Sequence, residues 1–204
     1  MQIPPFSLSE QISEIGEEVE EAIIKVFRSG KYIGGEVVNN FEEAFASEIQ
    51  TSFAVGCNSG TDALILALRA LNIGQGDEVI TSSFSFFATA EAITSVGAKP
   101  VFVEIDPENY LLDLKLIENA ITPNTKAIMP VHLFGYPFDM DQLMEIARRN
   151  CLKVIEDCAQ AAGAKWKGKA VGSFGDIGCF SFFPTKNLGA AGDGGAITTN
   201  NYDL

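Results

Sequence analysis

Between residues 52 and 156 the chain alternates short apolar runs with amphipathic stretches, and this alternation restricts the fold more than any other feature. The apolar runs cover 52–57, 78–81, 100–105, 126–131 and 153–156. Helical periodicity fills the gaps at 62–71, 88–96, 114–120 and 140–150. Strands alternating with helices predict an α/β fold with three layers, α/β/α, around a mostly parallel sheet covered on both faces. The right-handed crossover rule places the helices. After Cys158 the pattern changes: 163–178 is loop-rich, and two closely spaced strands follow near 178–183 and 195–199, making the sheet mixed.

Ahead of the alternation, residues 1–9 read as an extended arm with two prolines, and 10–28 as a helix with Ile12, Ile15, Val19, Ile23, Val26 and Phe27 at helical spacing. Ser29–Gly30 ends it. Lys31–Tyr32–Ile33–Gly34–Gly35 is a glycine-rich turn, and 40–49 a second amphipathic helix. The expected organisation is an N-terminal arm and helix over 1–30 and one large domain over 31–204. At 47% hydrophobic and 20% charged residues, a chain of 204 can build a substantial core. Its net charge of −13 argues against nucleic acid or anionic lipid as partners. No apolar run is long enough to cross a bilayer, and the start, Met1–Gln2–Ile3–Pro4–Pro5, lacks the basic and apolar regions of a signal peptide. Cys57, Cys151, Cys158 and Cys179 form no C-x-x-C pair and His132 is the sole histidine, so the expectation is free thiols in a reducing cytoplasm and no metal site.

In open parallel sheets ligands bind beyond the carboxyl ends of the strands. Four such ends carry unusual residues. Asn58–Ser59–Gly60–Thr61–Asp62 joins a strand to a helix, where unpaired N–H groups and the helix dipole suit a phosphate, or where Ser59 simply caps the helix. Phe86 sits in a Ser/Phe turn and can stack on a flat ring or pack in the core. Glu156–Asp157 ends an apolar strand in two acids, one of which needs a cation or donor if buried. Lys186 follows Ser181–Phe182–Phe183–Pro184–Thr185 just past a strand end. A partly desolvated amine there has a lowered pKa and becomes a nucleophile. One decoy stands apart: Gly163–Ala164–Lys165–Trp166–Lys167–Gly168–Lys169 matches the start of a phosphate-binding P-loop. However, Ala170 replaces the hydroxyl that would hold magnesium, and glycines break the helix that should follow. A basic surface hairpin is expected instead.

Taken in order, these pieces resemble the DegT/DnrJ/EryC1/StrS family of sugar aminotransferases, which use pyridoxal phosphate (PLP). The matching residues are Tyr32–Ile33–Gly34–Gly35, Asn58–Ser59–Gly60–Thr61–Asp62–Ala63–Leu64, Gly74–Gln75–Gly76–Asp77–Glu78–Val79–Ile80, Val131–His132–Leu133–Phe134–Gly135, Glu156–Asp157–Cys158–Ala159–Gln160, Ser181 to Gly189 and Gly192–Asp193–Gly194–Gly195. The resemblance implies the large domain of the PLP-dependent transferase fold type I, as in aspartate aminotransferase. It implies that Lys186 is the lysine that carries the cofactor and moves a proton as general base and acid. It further implies that Asp157 holds the pyridine nitrogen protonated, Phe86 stacks on the ring, and Gln160 approaches the phenolic oxygen. Gly60, Thr61 and Ser181 would cradle the phosphate with Asp62 as a backbone donor, while Tyr32 and Gly34 meet the sugar. The implied partners are an amino-acid donor, glutamate, and a keto sugar carried on a nucleotide diphosphate. The implied setting is deoxyamino-sugar synthesis for cell-surface polysaccharide in the cytoplasm, by a homodimer when full length. Lysine at 186 points to amino transfer, because relatives that dehydrate carry histidine there.

The resemblance ends at Leu204, where family members continue about as far again with the rest of the large domain and a small C-terminal domain. The expectation is that this portion alone turns over weakly and exposes an apolar patch. A truncated or non-catalytic relative that binds PLP as a sensory module is the alternative function, with a nucleotide hydrolase built on 163–169 a third.

Overall fold

The computed structural model describes residues 6–204. Two compact units divide the chain, Met1–Phe41 and Glu42–Leu204. In the first, α1 (Ser9–Ser29) follows the expected periodicity within a residue at each end and closes at Gly30, whose φ of 67° lets its N–H reach the Phe27 carbonyl. α1 buries none of its residues, and Ile12, Ile15, Val19 and Ile23 stay 40–60% exposed. Of the extended arm expected over 1–9, residues 1–5 lie outside the described residues. α2 (Glu36–Ile49) begins four residues before the expected 40. Its first turn carries Val37 and Val38, which continue the Phe41–Phe45–Ile49 spacing backwards but stay exposed.

The second unit holds β1 (Phe53–Cys57), α3 (Gly60–Ala70), β2 (Glu78–Ser82), α4 (Phe87–Ser95), β3 (Lys99–Val103), α5 (Leu114–Ala120), β4 (Thr125–Met129), α6 (Met140–Arg149), β5 (Lys153–Asp157), β6 (Lys165–Trp166), β7 (Lys169–Ala170), β8 (Ile177–Ser181) and β9 (Gly195–Thr199). Seven strands form one sheet in the order β1-β9-β8-β5-β4-β2-β3. β3, β2, β4, β5 and β8 run parallel, and β9 runs antiparallel to both β8 and β1. The strand order reverses beside β2, with β3 on one side and β4 on the other, which opens a crevice at the carboxyl edge.

The strands are short and apolar because both faces are covered. Consecutive residues leave β2, β4 and β5 for opposite layers. Val79, Ala127 and Ile155 pack with Ala63, Leu64 and Leu68 of α3 and Ala92 and Ile93 of α4. Ile80, Ile128 and Val154 pack with Ile117 of α5 and Met140, Leu143 and Ile146 of α6. A third cluster joins Phe45 and Ile49 of α2 to Phe180 and Phe182, with Phe45 edge-on to both rings at 5.0 and 5.3 Å. Full burial of a Leu, Ile or Phe side chain contributes about 1.5–3 kcal/mol, so these layers outweigh any local propensity in fixing the fold.

The decoy loop is a hairpin: β6 and β7 pair across Lys167 and Gly168, at φ 48° and 84°, the signature of a type I′ turn. Lys169 donates to the Ser173 carbonyl at 3.0 Å and lies 4.4 Å over the Phe174 ring, so its charge is engaged away from any phosphate.

Candidate active site at the carboxyl edge of the sheet

A cavity of about 300 Å³ opens at the crevice, lined from the turns after β1, β2, β5 and β8. Gly60, Thr61, Phe86, Asp157, Gln160, Ser181 and Lys186 all line it.

The β1–α3 turn comes first. Ser59 caps α3, its hydroxyl accepting the Asp62 N–H at 3.1 Å. That bond engages the Asp62 N–H, and Asp62 is not among the lining residues. The helix-end donors at the cavity are therefore the N–H groups of Gly60 and Thr61. Gly60 is required by close approach: a Cβ there would lie 2.6 Å from the Ser181 Cβ. Gly195, at the start of β9, backs the same turn, where a Cβ would strike the Ser59 carbonyl.

Lys186 is half-buried in the loop after β8. The loop closes on itself: the Lys186 N–H bonds the Phe183 carbonyl at 2.8 Å, the Ala190 N–H bonds the Phe182 carbonyl at 2.7 Å, and Gly189 leaves no room for a side chain against Pro184. Phe86 stands at the N-cap position of α4 with 71% of its surface exposed, its ring free of the core.

Asp157 ends β5 and is 4% exposed. Its Oδ1 accepts the Ala159 N–H at 3.1 Å, and its Oδ2 accepts the Thr89 hydroxyl at 2.9 Å. Burial pushes this carboxyl up, against the pull of those two hydrogen bonds and of the positive Lys186 across the cavity. Gln160 spends its side-chain oxygen on the Phe134 N–H at 2.9 Å, which identifies the NH₂ as the end left to donate. Phe134 itself sits at φ 55°, a left-handed conformation costly for an aromatic residue.

Glu156, the neighbouring acid, turns the other way. It accepts from His132 Nε2 at 3.1 Å and from the N–H groups of Gly172, Phe174 and Gly175 at 2.7–2.8 Å. The Phe138 N–H occupies His132 Nδ1, so the ring proton lies on Nε2 and points at Glu156. Burial raises the Glu156 carboxyl, but the bonds from His132, Gly175 and Gly172 outweigh it and hold the group below its ordinary range. His132, Glu156 and Cys158 have metal-ligand spacing among the described residues. Both His132 nitrogens and both Glu156 oxygens are already engaged, and burial pushes the Cys158 thiol well up, away from the thiolate a metal needs.

The sequence did not single out Thr89, nor Ser85, whose hydroxyl lies 2.8 Å from that of Thr89. Thr89 lies in the first turn of α4, whose sequence also holds Glu91, Thr94 and Ser95, so a polar residue there gave no distinct signal. Tyr32 and Gly34 belong to the first unit and are not among the lining residues. There the Tyr32 hydroxyl donates to the Phe27 carbonyl at 2.9 Å.

A cradle of helix-end N–H groups, a buried carboxylate with spare acceptor capacity, an exposed ring and an amine around one cavity fit a flat, phosphorylated cofactor. The architecture is that of the large domain of the fold type I PLP-dependent transferases. It matches *Streptomyces venezuelae* DesV, solved in complex with a ketimine intermediate, at a TM-score of 0.96 and 46% identity over 99% of this chain and 54% of that one. It also matches NtdA from *Bacillus subtilis*, solved with bound cofactor PMP, at 0.93 and 37% over 99% and 46%. The chain belongs to the DegT/DnrJ/EryC1/StrS aminotransferase family, which it matches over residues 13–204. Among its relatives is UDP-N-acetyl-3-dehydro-alpha-D-glucosamine 3-aminotransferase of *Acidithiobacillus ferrooxidans*, 52% identical over 99% of this chain and 55% of that protein. The chain spans about half the length of the curated relatives it matches.

Proposed function

We propose that this chain is the cofactor-binding part of a PLP-dependent aminotransferase that moves an amino group from an amino acid, glutamate, to a nucleotide-linked keto sugar. The observation that carries the reading is that Lys186 and the buried Asp157, 29 residues apart in sequence, face one cavity. PLP, when bound, supplies an aldehyde that takes up the amino nitrogen and a ring that accepts the electrons released by the donor's α-carbon. Lys186 is the amine that holds the cofactor, then takes and returns the substrate proton at Nζ. Asp157 offers its remaining lone pairs to the ring N–H, and a carboxylate there favours the protonated nitrogen. The Gly60 and Thr61 N–H groups, the positive end of α3 and the Ser181 hydroxyl receive the phosphate. Phe86 covers one ring face, and the Gln160 NH₂ meets the phenolic oxygen.

The A. ferrooxidans relative, a UDP-sugar aminotransferase by name, supports a nucleotide-sugar acceptor. The family pattern supports sugar contacts at Tyr32 and Gly34, a homodimer and a cytoplasmic role in supplying amino sugars for surface polysaccharide. The test is an absorbance spectrum of protein mixed with PLP. A visible band of lysine-bound cofactor, absent in Lys186→Ala, is expected; no band in either protein overturns the reading. Amino transfer from glutamate to UDP- or dTDP-linked keto sugars then separates an enzyme from a module that only binds the cofactor.

A further inference from the structure

We propose that Ser85 and Thr89 form a hydroxyl relay that positions Asp157 for the ring nitrogen and ties it to the turn carrying Phe86. The inference rests on the cofactor reading above. It assigns Thr89 as a positioning residue, acting through Asp157 rather than on substrate.

The direction of the relay follows from donor counting. An ionised carboxylate only accepts, so the 2.9 Å contact at Asp157 Oδ2 uses the single Thr89 proton. Thr89 can then only accept at its 2.8 Å contact with Ser85, which makes Ser85 the donor. The link to the acid is sheltered, Thr89 being 2% exposed and Asp157 4%, and the Ser85 link is half-buried.

Two donors on different oxygens fix the carboxylate plane where one would leave it free to rotate. One donor, Ala159, is local, two residues further along the chain. The other, Thr89, comes from α4, 68 residues away in sequence. The Thr89 hydroxyl thus ties the acid to the helix beside it. Ser85 and Thr89 also bracket Phe86, so the ring's edge partner and its face partner are held by one hydrogen-bonded unit. Threonine suits this buried place because its hydroxyl reaches the acid; valine keeps the shape and removes the donor.

The test is equilibrium dialysis with pyridoxamine phosphate, which has no aldehyde and so reports binding without the bond to Lys186, alongside apo-protein melting. Thr89→Val is expected to weaken binding about tenfold and Thr89→Ser to restore it to within about threefold of wild type. In an Asp157→Asn background Thr89→Val should add nothing, the mark of an effect that runs through the acid. Ser85→Ala, which leaves the acid's own partners in place, should weaken binding about threefold and carries the test if Thr89→Val fails to fold. Wild-type protein that binds no pyridoxamine phosphate overturns the cofactor reading and this inference with it. Wild-type binding left unchanged by both Thr89→Val and Ser85→Ala, or a loss that Thr89→Ser does not rescue, overturns the relay alone.

Discussion

Glu156 and Asp157 are adjacent, both buried, and both at the end of β5, yet they do opposite work. Strand alternation sends them to opposite faces of the sheet. Glu156 meets four donors and its oxygens are fully engaged, so it staples the Gly172–Gly175 loop to β5. Asp157 meets two donors and keeps acceptor capacity that faces the cavity. Burial alone therefore does not mark a functional acid. What separates the two is whether the protein supplies every partner or leaves a place for one.

The largest expected effect that sharpens this contrast is Glu156→Gln. Whichever way the amide turns, its NH₂ faces two N–H donors, and the loss should be about 3–5 kcal/mol in urea unfolding at neutral pH. A loss under about 1 kcal/mol would break the comparison. Next comes Asp157→Asn. The amide can donate to Thr89, which can turn to accept, so stability should change by no more than about 1 kcal/mol. Cofactor affinity should fall about 30- to 100-fold by dialysis, since the ring nitrogen loses a charged partner. Gly60→Ala follows: the added methyl meets Ser181, and overpacking should cost about 1–3 kcal/mol while weakening inorganic phosphate competition for the site.

The smallest effect is in the pH profile, where the two acids should differ in sign. The Glu156 carboxyl is lowered on folding, so its contribution is present above the unfolded value near ~4.3 and is lost as pH falls through the lower folded value. The Asp157 carboxyl is raised, so its penalty is present above the folded value and is relieved as pH falls through it toward ~3.9. Wild type should gain stability relative to Asp157→Asn on acidification and lose it relative to Glu156→Gln. Unfolding curves of the three proteins at several pH values check both signs.

The sequence alone carried the layers well. α5 was read to the residue, and the strands were legible because β2, β4 and β5 are apolar on both faces. The places of Lys186, Gly60 and Phe86 just past strand ends were legible because breakers, not periodicity, mark those ends. Which acid of Glu156–Asp157 faces the cavity was not legible from the residue pattern; only the family resemblance pointed to Asp157. Alternation says only that they diverge, and the choice is made by a loop 16–19 residues later. Thr89 was hidden for the same reason, since its partner lies 68 residues away. The resemblance implied Asp62 as a backbone donor to the phosphate, but the Ser59 hydroxyl engages its N–H.

The reversed strand β9 carries one last consequence. β1 sits at the sheet edge, and among the described strands its partner is β9, with Cys57 opposite Gly195. The turn that would grip the phosphate thus hangs from a strand whose neighbour is made some 140 residues later. During synthesis the ribosome releases the Lys186 loop before that neighbour exists. Competence to capture the cofactor should therefore appear abruptly, once β9 has emerged and docked, rather than grow with chain length.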